Sequence, residues 1–74
     1  MYSKENYKKD VNYFIQKNGY IPAEIGKLTY KIFINHQRDI DDSLYDKLLD
    51  IANMEMGEEF EMSEEEFNTF LKKL

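Results

Sequence analysis

The chain has no cysteine among its 74 residues. That excludes a disulfide framework and a thiolate metal site. There is one histidine, His36, and a structural zinc site would need more ligands than it supplies. There is one arginine, Arg38, so the guanidinium-rich footprint of a nucleic-acid binder is missing. No run approaches the roughly 18 apolar residues that cross a bilayer. The start, Met1 to Asn6, lacks the apolar core of a signal peptide. A glycine-rich phosphate loop is also absent. The expectation is a soluble, cytoplasmic protein without membrane contact, cofactor or metal.

What the chain does have is aromatic side chains and a split charge. Six tyrosines and five phenylalanines can bury large areas from few positions. They are needed, because a domain this small must have an unusually apolar core or a second chain to complete it. Residues 1–38 carry seven basic side chains against three acidic ones, a balance of +4. Residues 39–74 carry three lysines against twelve acids, a balance of −9, and the two sum to the formal −5. The acidity is densest from Glu58 to Glu66, with six glutamates in nine residues. Such asymmetry bears on partners and steering more than on fold.

The spacing predicts an all-α fold: one domain over residues 1–74, a compact bundle of four helices with short connections. The first helix covers about residues 4–18. Tyr7, Val11, Phe14 and Ile15 recur at helical spacing. Ser3 is its N-cap, Tyr2 with Tyr7 a hydrophobic staple, and Asn18-Gly19 its stop. Pro22 opens a second helix over 22–37, since its missing N–H costs nothing there. Ile25, Leu28, Thr29, Ile32, Phe33 and His36 form one face. Ala23, Tyr30 and Ile34 form another, so this helix is read as central. Gly26 either permits close packing or weakens the first turn. The third helix, 43–56, starts from Asp41 or Asp42 and ends at Gly57. Its face is Leu44, Tyr45, Leu48, Leu49, Ile51 and Ala52. The fourth, 64–74, opens on the capping box Ser63-Glu64-Glu65-Glu66, with Met62 and Phe67 as staple. Phe67, Phe70, Leu71 and Leu74 form its buried edge, and its shortness suggests a peripheral place.

Two surfaces are candidates for partner binding. The first is Glu58, Glu59, Phe60 and Glu61. Apolar anchors within a charged rim are what interfaces use, and no local helix explains these three glutamates. Alternatively, Phe60 and Met62 are core residues under a loop. Glu64, Glu65 and Glu66 are explained by the first turn of a helix, where negative charge opposes the macrodipole. The second surface is Tyr30, Ile34, Met54 and Met56, since methionines suit adaptable contacts. It competes with the alternative that helix four covers these positions.

Other constellations are weaker. Asp39, Asp41 and Asp42 alternate as at the start of a calcium loop. The sixth position is Leu44 rather than glycine, and the twelfth is Asp50 rather than glutamate. A helix cap is the simpler assignment. His36 fits a residue packed at a helix C-terminus better than a general base. Lys4, Lys8 and Lys9 form the solvated side of helix one. They could match the acidic half across the fold, and direct nucleic-acid binding is not expected. No set of residues suggests an enzyme.

The order Phe14-Ile15-Gln16-Lys17-Asn18-Gly19-Tyr20, a proline soon after, and Leu44-Tyr45-Asp46-Lys47 resembles the Hha family of nucleoid modulators. The resemblance covers under half the chain. That family ends soon after the second motif, whereas here an acidic helix follows. It implies a nucleoid or transcription modulator that recruits a DNA-binding partner. The residues themselves point first to a small acidic helical protein, monomeric or homodimeric, that binds a basic protein. Inhibitor, antitoxin, immunity and phage anti-host roles all fit that size and charge.

Overall fold

Local punctuation sets the elements. The computed structural model describes residues 1–74, folded as four α-helices with no strand. Helix α1 is Lys4–Asn18. Ser3 caps it: its Oγ accepts from the Asn6 backbone N–H, while the Asn6 side chain accepts from the Ser3 N–H. Gly19 ends it at φ 83°, a left-handed value that only glycine adopts without strain. Helix α2 is Pro22–Asn35, two residues shorter than the 22–37 expected from spacing. His36 is its C-cap, and the chain turns over His36–Asp39.

Helix α3 is Asp42–Ala52, with Asp41 as N-cap accepting from the Leu44 N–H. It stops before the expected Met56. Residues Asn53–Met56 form a 3₁₀ turn instead, and Glu58–Phe60 form a second. The tighter 3₁₀ winding satisfies orphan carbonyls at a helix end. Met54, within the first of these turns, is fully buried. Helix α4 is Glu64–Lys73, opened by the expected capping box: Ser63 Oγ accepts from the Glu66 N–H at 3.1 Å, and Glu66 Oε1 accepts from the Ser63 N–H at 2.9 Å.

The core is Tyr7 and Val11 of α1, Ile25, Ile32 and Phe33 of α2, Leu44, Leu48 and Ile51 of α3, Met54, and Phe67 and Leu71 of α4, with Tyr2 closing one end. Helix α2 is central, packing on both α3 and the 3₁₀ turn that follows it. The radius of gyration is 11.3 Å, which matches the ~11 Å of a compact chain this long. Helix α4 is not peripheral, because Phe67 is fully buried and its ring lies tilted against that of Tyr20, 5.4 Å between centroids. Helix length misjudges this: one large aromatic on a short helix buries more than several small residues on a long one.

The N-terminus is tied down by more than a staple. Tyr2 and Ile40 form an isolated parallel bridge, with the Tyr2 N–H donating to the Asp39 carbonyl at 2.8 Å. The Tyr2 hydroxyl donates to Asp10 Oδ2 at 2.6 Å, and its ring lies 4.4 Å from that of His36. No helix is long and apolar enough to cross a membrane.

Candidate partner-binding surfaces

The acidic edge is built on the second 3₁₀ turn. Gly57 and Glu58 carbonyls accept from the Phe60 and Glu61 N–H groups, both at 3.1 Å. The turn is anchored from beneath by Tyr20, whose hydroxyl donates to the Met62 carbonyl at 2.7 Å. Met54 Sδ lies 3.4 Å from the Met62 nitrogen and accepts its N–H. These contacts hold Met62 half-buried and leave Glu58, Glu59, Phe60 and Glu61 all exposed. Phe60 is 48% exposed, so it is not a core residue under a loop.

No carboxylate on this edge is ion-paired. The two ion pairs of the molecule are Lys27–Glu24 at 3.5 Å and His36–Asp39 at 3.0 Å. Neither joins the basic N-terminal half to the glutamate run. The match of Lys4, Lys8 and Lys9 to the acidic half, open on sequence grounds, does not form as contacts. The nearby Tyr20 phenol is pushed up to about 12, first by burial and then by the charges of Glu61, Glu64 and Glu66. Its position registers the negative potential on this side of the molecule.

The second surface changes membership. Tyr30 and Ile34 are 55% and 51% exposed, and α4 does not cover them. Met56 is 75% exposed. Met54 does not belong with them: it is fully buried, and at about 100–120° per residue in either kind of winding it points well away from Met56, two residues on. Two residues assigned by sequence to the core take its place, Tyr45 at 39% and Leu49 at 40% exposure. Helical geometry carried a signal for them. At 3.6 residues per turn, Tyr45 and Leu49 lie about 100° and 140° around from Leu44. The buried stripe of α3 is the narrower set Leu44, Leu48 and Ile51.

Together Tyr30, Ile34, Tyr45, Leu49 and Met56 line two adjoining grooves between α2 and α3. Phe33 forms their common floor, its ring 4.6 Å from that of Tyr45. Of nine exposed large hydrophobic residues in the molecule, these are five, so the exposure is clustered rather than scattered.

The remaining sequence candidates have local roles. His36 Nδ1 lies 3.0 Å from Asp39 Oδ1 at the end of α2. Asp41 is the α3 cap. Phe14–Tyr20 is the end of α1 with its link, and Leu44–Lys47 is the start of α3, so the resemblance to the Hha family consists of helix-end residues. The chain matches no family model, no curated protein and no solved structure.

Proposed function

We propose that this protein acts by binding another protein, with the edge Glu58, Glu59, Phe60 and Glu61 as the docking site for a basic partner. The observation that carries this reading is the state of the three carboxylates. They are exposed, unpaired by any cation of the chain, and grouped around a half-exposed phenylalanine. An apolar anchor inside a charged rim gives contact area and electrostatic selection together. Inhibitor, antitoxin and immunity roles are forms of this one activity.

The test begins with capture of partners and then turns to kinetics. Replacing Glu58, Glu59 and Glu61 with glutamine together should leave helicity and melting nearly unchanged, because none of the three caps a helix. Association should slow and lose much of its salt dependence, since exposed charges act by steering screened over about 10 Å. Phe60→Ala should instead speed dissociation. Ser63→Ala is the control: it should cost about 1 kcal/mol of stability through the lost cap, with binding weakened only as α4 frays. Partners that bind the triple variant with unchanged rate and salt slope would defeat the proposal.

A further inference from the structure

The groove between α2 and α3 is a second surface, and none of the residues that line it belongs to the acidic edge. We infer that it is covered by a second copy of this chain, in a twofold dimer that lays α2 of one copy over α3 of the other. The inference does not rest on the acidic edge and stands or falls without it.

The first argument is the exposure itself. Five large apolar side chains line one face, over a floor made by Phe33. The molecule measures 29 × 23 × 22 Å, so a standard interface, which takes about 800 Å² from each partner, would use nearly the whole of the side that carries this face.

The second argument is charge, and it selects the occupant. At about 3.6 residues per turn, Tyr30 and Ile34 sit between the buried stripe of α2 and Lys27 and Lys31. On α3, Tyr45 and Leu49 sit likewise between the buried stripe and Asp42 and Asp46. All four charged residues are exposed. The apolar face therefore has lysines along its α2 side, of which Lys27 is ion-paired with Glu24 and Lys31 is not paired, and an acidic wall on α3. A surface of this kind is complementary to itself.

The symmetry follows from the packing. Helices α2 and α3 are antiparallel: Phe33, late in α2, meets Tyr45, early in α3, and Gly26, early in α2, lies against Ala52 at the end of α3. A twofold axis along the helices places α2 over the partner's α3 and keeps each residue at its own level. Lys31, two residues before Phe33, then stands opposite Asp46, one residue after Tyr45. A twofold axis across the helices would place α2 over α2, with lysine facing lysine. Charge disfavours that second arrangement.

The test is sedimentation equilibrium on the full chain, from low to high micromolar concentration, with circular dichroism as the control for folding. The expected mass rises from 8.9 kDa towards twice that value. Ile34→Lys, at an exposed position, should weaken association by about tenfold or more, as a charge placed inside an apolar contact does. Lys31→Glu alone and Asp46→Lys alone should each weaken it by about tenfold through like-charge contacts. An equimolar mixture of those two single variants should recover native association, because both contacts across the mixed dimer are again of opposite sign. Loss of folding cannot mimic that recovery. A mass that stays monomeric at every concentration overturns the inference, as does a dimer indifferent to all three substitutions. A monomer whose Ile34→Lys variant loses a captured basic protein would also overturn it, and would assign the face to that protein.

Discussion

Gly26 of α2 faces the backbone of Glu55 so closely that a β-carbon at residue 26 would lie 2.7 Å from the Glu55 nitrogen and 3.2 Å from the Ala52 carbonyl oxygen. The contact is backbone against backbone, so no side chain can swing away. It also explains why the chain tolerates a glycine inside its central helix. Gly26→Ala sets two effects against each other. Alanine gains up to about 1 kcal/mol in helix propensity. Overpacking of a tight site costs about 1–3 kcal/mol, and the obstruction here is main chain. The expected result is a net loss in stability by denaturant titration. An alanine variant that melts higher than the parent would mean that the 3₁₀ turn can move away.

The buried polar chain Tyr7–Thr29–Ile25 gives a second prediction. Thr29 Oγ1 donates to the Ile25 carbonyl at 2.9 Å, which uses its one proton. The Tyr7 hydroxyl, 2.9 Å away, must therefore donate to Thr29. Both residues are fully buried. Thr29→Val leaves the Tyr7 hydroxyl without a partner and should cost about 1–3 kcal/mol. Tyr7→Phe leaves Thr29 still bonded to Ile25 and should cost less, about 1 kcal/mol. The double variant should lose less than the two single losses added together. Strict additivity would mean that the two hydroxyls are not coupled.

Met54 and Met56 separate core from surface within three residues. Met54→Ala should cost about 2–5 kcal/mol, as truncation of a fully buried methionine does. Met56→Ala, at 75% exposure, should stay within about 0.5 kcal/mol. Equal losses at the two sites would contradict the burial of Met54 and the exposure of Met56.

Alkaline stability follows from three tyrosines. Tyr2, Tyr7 and Tyr20 are all held above the ordinary value of 10.0, each chiefly by burial. Asp10 adds to the rise at Tyr2, and the glutamates add at Tyr20. A phenol raised in the folded state stabilises fully below the unfolded value. That contribution fades as pH climbs through the folded value. Stability should therefore fall from about pH 10 upward, with Tyr20 reaching its own value at about 12. Ellipticity and phenolate absorbance followed together provide the check. Helix loss should accompany or precede ionisation of these three. Complete ionisation of all six tyrosines near pH 10 with helicity intact would refute it.

The helix starts and the stop at Gly19 were legible in the sequence, because they depend on neighbours within four residues. Ser3, Asp41 and Ser63 each bond a backbone N–H three residues on, and Gly19 turns by its own backbone freedom. The charge split was equally plain, since it requires only counting. The central stripe of each helix followed from periodicity, as Tyr7, Val11, Ile25, Leu48 and Phe67 bear out.

Tertiary structure alone decided the rest. Whether Phe60 was buried or exposed depended on what anchored its turn, and Tyr20 and Met54 supply that anchor from 40 and six residues away. Tyr45 and Leu49 lie at the margin of the α3 stripe, and the elements packed on α3 do not reach far enough around it to cover them. Met54 and Met56 have the same chemistry and point to different sides in any helical winding, and the packing of their turn against α2 decided which of the two sides is core. Periodicity fixes which residues share a side of a helix. How far around that side the neighbours reach is a property of packing, and no single segment of the sequence contains it.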